Sequence, residues 1–111
     1  MANQVALQLH CQRGDELLAA SNAHILLAEA GGPAIHANVM AKPLPTLTGI
    51  FDAESVVQAY RHSKGPHYPV TKLLALENTA NMGGGIAWPL ETLDSVLKTA
   101  KDYTDITYDY L

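Results

Sequence analysis

The residues around Leu74 to Gly85 constrain this chain more than any other stretch. Lys72 to Leu76 is short and almost wholly apolar, the pattern of a strand buried on both faces. It stops abruptly at Glu77-Asn78-Thr79-Ala80-Asn81-Met82-Gly83-Gly84-Gly85, a polar and glycine-rich segment. A strand that is apolar throughout needs cover on both sides, which calls for a parallel sheet with helices over it. Open sheets of that kind place their chemistry in the crevice beyond the C-terminal ends of the strands. Glu77 and Asn78 stand at such an end.

The rest of the chain alternates helix and strand signals, so the expected fold class is α/β, a run of βα units with a mostly parallel sheet. Ala2 to Gln12 is rich in helix formers, and Arg13-Gly14 supplies a basic last turn and a glycine stop. Glu16 to Ala20 is a short strand. Ser21-Asn22 can cap a helix from Ala23 to Ala30, closed by Gly31-Gly32. Pro33 opens a further helical turn, and Asn38 to Leu44 is extended up to Pro43 and Pro45. Thr48-Gly49 is a turn. Asp52 is an N-cap for a helix to His62 with Val56, Val57 and Tyr60 on one face. Ser63 to Pro69 is loop. Pro89 opens a helix to Tyr103 whose apolar stripe is Leu90, Leu93, Val96, Leu97 and Ala100. Ile106 to Leu111 begins another strand.

Composition narrows the function classes. A chain of 111 residues suits one domain with a modest core, yet 48% of it is apolar and only 16% charged. That balance suggests that part of its apolar surface meets more protein. The net charge of −4, with no basic stripe, argues against a nucleic-acid partner. The single cysteine, Cys11, excludes an internal disulfide, fits a reducing compartment and reads as a small apolar residue. There is no secretory leader pattern, and the apolar runs are too short to span a bilayer. The expectation is a soluble, cytoplasmic protein that does not engage membranes. Both ends read as cut, a helix beginning without its cap and a strand halting, so a fragment of a larger α/β protein is expected. The alternative is a short, complete domain.

Several candidate sites are weak. His10, His24, His36, His62 and His67 form no HExxH pair and no Cys/His cluster with ligand spacing, so no metal site is expected. Ser63-Lys64-Gly65 has the form of a Schiff-base lysine motif, but it lies in a loop ahead of the strand and reads as a solvated lysine. Gly83-Gly84-Gly85 lacks any phosphate-loop pattern and reads as a flexible turn. His24 is more distinctive. It sits in the first turn of a helix that follows a strand, so it can project into the same crevice as Glu77. Glu29, five residues on, falls about one and a half turns away and off that face.

The residues in order say more than the spacings. Met1-Ala2-Asn3, Cys11-Gln12-Arg13-Gly14-Asp15-Glu16, Ala23-His24-Ile25, Glu29-Ala30-Gly31-Gly32, His67-Tyr68-Pro69, Leu76-Glu77-Asn78-Thr79 and Pro89-Leu90-Glu91 follow one another. Together they resemble the large-domain core of low-specificity L-threonine aldolases, in the β-eliminating lyase group of fold-type-I pyridoxal-phosphate enzymes. The resemblance runs from Met1 to about Tyr103 and treats residues 1–111 as one partial large domain. It implies a lyase of amino-acid metabolism that splits threonine, allo-threonine or related β-hydroxy-α-amino acids into glycine and an aldehyde. The cofactor implied is pyridoxal 5'-phosphate, an electron sink for the charge left when Cα–Cβ breaks.

The resemblance also assigns roles. The histidine matching His24 stacks on the pyridine ring, and the one matching His67 lies near the substrate hydroxyl, where a group titrating near neutrality is useful. Glu77 shapes the pocket. Met1 and Ala2 follow the place of the phosphate cup, and Asp109 corresponds to the aspartate paired with the pyridine nitrogen. This sequence departs from the pattern in four ways. The Ser-Gly-Thr cup that precedes the match to Met1 is absent. Ala80 stands where the family has histidine. The arginine after the match to Asp109 is missing. None of Lys42, Lys64, Lys72, Lys98 or Lys101 occupies the place of the cofactor-binding lysine. The isolated chain is therefore expected to be inactive, with the family's dimer or tetramer formed only with further segments. The alternatives are a non-catalytic, partner-binding fragment and another fold-type-I reaction such as β-elimination.

Overall fold

The structure, a computed structural model, describes residues 1–103 and the backbone of residues 107–110. Its elements are α1 (Ala2–His10), β1 (Glu16–Ala20), α2 (His24–Leu27), a π-helical turn (Pro33–Ala37), β2 (Met40–Leu44), α3 (Ala53–Ala59), β3 (Thr71–Leu76), a 3-10 turn (Asn81–Gly83), α4 (Leu90–Asp102) and β4 (Thr107–Tyr110). The four strands form one parallel sheet in the order β2-β1-β3-β4.

The two inner strands carry the core. Every residue of β1 is buried, and in β3 only Lys72 is not. Both faces of these strands are therefore covered, as their apolar composition requires. β2 lies at one edge, where Pro43 costs the sheet little because no further strand among the described residues needs its missing N–H. α1 packs on the π-helical turn and β3, whereas α3 packs on α4 and β2. Val96 and Ala100 of α4 are buried, and Leu93 and Leu97 pack against the core cluster. Leu90, expected on that stripe, is 73% exposed because the first turn of α4 extends past the core. No helix among the described residues is long and apolar enough to cross a membrane.

Three helices and the start of one strand depart from the sequence expectation for identifiable reasons. α1 stops at His10 because Cys11 is already extended. α2 is four residues rather than eight. Ala28 leaves helical geometry, and Ala30 and Gly31 both take positive φ, so the chain curls instead of continuing. Asn38 is left-handed and bonds Ala34 O through its amide, which caps the π-helical turn and delays β2 to Met40. α3 starts as expected at Asp52, whose carboxylate accepts from Ser55 N, but ends at Ala59. Tyr60 turns out of the helix and stacks on Tyr103, with ring centroids 4.0 Å apart.

A buried polar cluster fastens the N-terminal ends of β1 and β3. Glu16 is fully buried, yet its Oε2 accepts from Arg61 Nε at 2.8 Å and its Oε1 from Thr71 Oγ1 at 3.1 Å. Thr71 Oγ1 also accepts from Arg61 N. A buried carboxylate stripped of its cation carries the cost of an uncompensated charge. Arg61→Leu is expected to lower stability by about 3 kcal/mol, read as a shift of the urea midpoint with an unchanged slope.

Candidate functional site

Three chain segments converge at the C-terminal edge of the sheet. β1 and β3 are parallel neighbours, so Ala20 and Leu76 end on the same side, and Ser21-Asn22-Ala23 and Glu77-Asn78 leave together. A short link from α1 to β1 turns the chain back, which brings the start of α1 to that same edge. Asn3, Ala23, His24, Ile25, Ala75 and Glu77 line a hollow of about 130 Å³ there. It adjoins a wider one of about 710 Å³, bordered by Met1, Ala2, Asn3, Gln4, His24, Glu29 and His36 among others. The larger volume lies within the size range of small-molecule sites.

His24 is held by two carboxylates. Its backbone N–H donates to Glu77 Oε2 at 3.3 Å, so a side chain from β3 satisfies an open donor at the start of α2. Its ring Nδ1 lies 3.1 Å from Glu29 Oε1. The early end of α2 makes the second contact possible, because the curl at residues 28–31 swings Glu29 back toward the first turn. A continuous helix would have kept the two residues on different faces.

Glu29 gathers donors from α1 as well. Asn3 Nδ2 donates to Oε1 and Gln4 Nε2 to Oε2. Gly32 leaves the space that Gln4 needs, since a Cβ there would stand 2.5 Å from the Gln4 amide. Partial burial pushes the Glu29 carboxyl upward, but hydrogen bonds from Gln4, Asn3 and His24, with the charge of His24, hold it below the ordinary glutamate value. The role of Glu29 as the partner of the His24 ring, and of Asn3 and Gln4 as donors to Glu29, was not legible in the sequence, because it depends on the curl after Leu27.

Glu77 is set by its own surroundings. Its Oε1 accepts from Asn81 N at 3.4 Å, and its backbone carbonyl accepts from Trp88 Nε1 at 3.0 Å. Trp88 is itself buried edge-to-face against Phe51, with centroids 4.9 Å apart. The loop beyond is a packed one rather than the flexible turn its three glycines suggested. A Cβ on Gly83 would stand 1.8 Å from Thr48 O, so the backbones of the two loops meet there. Ala80 is buried, and a Cβ on Gly49 would lie 2.5 Å from its methyl.

The other sequence-derived positions separate. Met1 and Ala2 border the larger hollow. His67 does not join His24 and Glu77. It is exposed in the loop entering β3, near Val70, whose carbonyl accepts from Glu16 N at the opposite end of the sheet. β3 spans six residues, roughly 20 Å at the usual strand rise. The two residues between His67 and Val70, Tyr68 and Pro69, cannot cover that span. Asp109 lies beside Ala75 in the β3–β4 register, and its side chain falls outside the described residues. Cys11 stands apart. Burial, with Asp15 adding and Lys72 opposing, pushes its thiol up to about 11, so it is a poor nucleophile at neutral pH. Among the described residues no group of three or more His, Cys, Asp or Glu side chains could hold a metal ion.

Two outcomes test this geometry. A carboxyl with a depressed folded-state pKa contributes stability above its unfolded value and loses it as pH falls through the folded one. Glu29→Gln is therefore expected to be less stable than the native chain at pH 7. The gap should narrow from about pH 5 downward, as denaturant midpoints across pH would record. Gly83→Ala is expected to cost about 2 kcal/mol by driving the two loops apart, whereas Gly14→Ala, where a Cβ meets nothing within 4 Å, tests positive φ without crowding.

Comparison with known proteins gives this edge a context. A sequence model described as Beta-eliminating lyase matches residues 1–107. A probable low-specificity L-threonine aldolase of Arabidopsis thaliana is 34% identical over 106 residues, covering 93% of this chain and 30% of the relative. The low specificity L-threonine aldolase of Escherichia coli is 38% identical over 81 residues, 72% of this chain and 24% of that enzyme. Among solved structures, a threonine aldolase of Leishmania major superposes with a TM-score of 0.81 at 19% identity, over 98% of this chain and 31% of that one, a likeness of fold. The chain thus spans about a quarter to a third of the length of the relatives it matches. With the match running from the first residue to the start of β4, the chain belongs to the beta-eliminating lyase family.

Proposed function

We propose that the chain is the core of the large domain of a pyridoxal 5'-phosphate-dependent lyase of the threonine aldolase type. Its substrates would be threonine, allo-threonine or related β-hydroxy-α-amino acids, cleaved to glycine and an aldehyde. The observation that carries this reading is the open start of α1 beside the His24 ring. Met1 provides no side-chain cap, and Gln4 N and Val5 N close on Met1 O. The N–H groups of Ala2 and Asn3 have no acceptor among the described residues, and both residues border the hollow that His24 lines. A helix start with free N–H groups is a seat for an anion such as a phosphate, and a flat imidazole next to it suits an aromatic ring. The names of the aldolase relatives supply the reaction.

In this reading Met1 and Ala2 flank the phosphate seat, and His24 supports the ring face. When bound, the cofactor supplies the electron sink for the charge left at Cα as Cα–Cβ breaks. Glu77 holds α2 in register with β3 and so keeps the His24 backbone fixed at the strand end. Asp109, at the matching level of β4, is the proposed partner of the pyridine nitrogen. The lysines lie elsewhere: Lys42 Nζ donates to Ala59 O, and Lys64 Nζ to the Tyr60 hydroxyl. With no lysine at the hollow, the 111-residue chain alone is proposed to hold the cofactor without turning over substrate.

Absorbance titration of the purified chain with pyridoxal phosphate tests the reading. Saturable binding is expected, competed by inorganic phosphate and weakened about tenfold by His24→Ala, a change worth ~1.4 kcal/mol. Borohydride should trap no single lysine, and threonine should yield no acetaldehyde. Binding indifferent to both phosphate and His24→Ala would sink the proposal.

A further inference from the structure

We propose that Glu29 is a positioning residue that sets the tautomer of His24, keeping the proton on Nδ1 and leaving Nε2 as the ring nitrogen available to a ligand in the hollow. The inference deepens the functional reading, since the ligand it serves is the one proposed there. The geometry it uses stands without any ligand.

Glu29 Oε1 and His24 Nδ1 are 3.1 Å apart, a hydrogen-bonding distance. An ionised carboxylate can only accept, so the nitrogen facing it must carry the hydrogen. The hydrogen bond made by one ring nitrogen settles which nitrogen is protonated. The carboxyl is held ionised at neutral pH by its donors, with Asn3 on Oε1 and Gln4 on Oε2. Neither oxygen is left to rotate away to water without losing a partner. His24 remains 43% exposed on its side-chain surface, whereas Glu29 is only 13% exposed, so the carboxylate is the fixed member of the pair and the ring the presented one.

The two carboxylates at this edge divide the work. Glu77 holds the His24 main chain, and Glu29 holds the ring. Asn3 and Gln4 belong to the first turn of α1, the same turn that offers its N–H groups to an anion. One carboxylate therefore ties the anion seat to the orientation of the ring beside it.

Nitrogen-15 long-range correlation spectra of the labelled 111-residue chain test this directly. They are taken at pH 9, well above the ordinary histidine value of about 6.5. The native chain should show His24 as the Nδ1–H tautomer, identified by loss of its signals in His24→Gln. Glu29→Ala should lower the Nδ1–H to Nε2–H ratio at least about tenfold, the scale of one hydrogen bond to a charged group. Glu29→Gln, whose amide can donate or accept, should give a mixture. Asn3→Ala keeps the carboxylate and should keep the tautomer. An Nε2–H ring in the native chain overturns the proposal. So does an unchanged tautomer in a folded Glu29→Ala or Glu29→Gln variant, which would leave Glu29 a brace for α1 only. If Glu29→Ala does not fold by circular dichroism, the native and Glu29→Gln spectra decide alone. Pyridoxal phosphate titration of the same samples separates the two readings. A tautomer that responds to Glu29 in a chain that binds no cofactor keeps this inference and removes the functional one; the reverse pattern does the opposite.

Discussion

The side-by-side parallel pairing of β1 with β3 is the constraint on which the rest of the structure depends. It places Ala20 and Leu76 at one edge, and only then can Glu77 reach the first N–H of α2. Parallel strands need crossovers, and the crossover between β1 and β3 contains α2, the π-helical turn, β2 and α3. The contact between His24 and Glu77 needs α2 to start directly after β1 and Glu77 to follow directly on β3, so the two strand ends set it and the longer part of the crossover, from the π-helical turn to α3, does not enter it. The other end of the same pair is fastened by Glu16, Arg61 and Thr71. That cluster is buried and lies far from the hollow, so its charge serves register rather than chemistry.

Charge at the functional edge is balanced in a particular way. The start of α1 carries the positive end of the helix dipole, which favours an anion there. Glu29 already brings one negative charge to this neighbourhood, which taken alone would oppose a phosphate. Three side chains, Asn3, Gln4 and His24, direct donors at it and spread that charge over fixed hydrogen bonds. These bonds use side-chain donors. The backbone N–H groups of Ala2 and Asn3 stay open. The carboxylate and the proposed anion seat therefore use different donors of the same first turn of α1.

The layered architecture was legible in the sequence, and so was the meeting of His24 and Glu77 at one strand edge. The apolar runs Leu73 to Leu76 and Leu17 to Ala20 announce buried parallel strands, and β1 matches its expected bounds. Asp52 announced α3 because an N-cap is a local interaction between neighbours in sequence. The misreadings have a different origin. Nothing local ends α2 at Leu27, since Ala28, Glu29 and Ala30 are all residues a helix accepts. The left-handed turn at Ala30 is favoured by tertiary bonds from Glu29 to α1, which a local reading cannot weigh. The family resemblance pairs His67 with His24, and strand direction separates them. The family pattern located His24 and Glu77 but was silent on Glu29 as a ring partner, which only the curl brings into contact.

The loop after Glu77 shows how a strand end acquires a fixed shape without its own secondary structure. Ala80 and Ile86 form an isolated antiparallel bridge, Gly83 presses on the Thr48 carbonyl, and Trp88 bonds back to both Glu77 and Asn78. Gly83 meets the Thr48 carbonyl backbone to backbone, so a side chain has no room at that position, whereas Gly84 and Gly85 face open space. A histidine at position 80, which the resemblance would place there, meets Gly49 across a gap already filled by a methyl group. Accommodating it requires the Thr46–Ile50 turn to withdraw, and that turn is held by Thr46 Oγ1 donating to Ile50 O at 2.7 Å. The alanine and the close turn therefore belong together. The loop beyond Glu77 is thus held mainly by close packing at Ala80 and Gly83, while the surroundings of His24 are held by hydrogen bonds. A substitution at Ala80 should accordingly be felt first as a displacement of the Thr48-Gly49 turn and only through that as a change at Glu77.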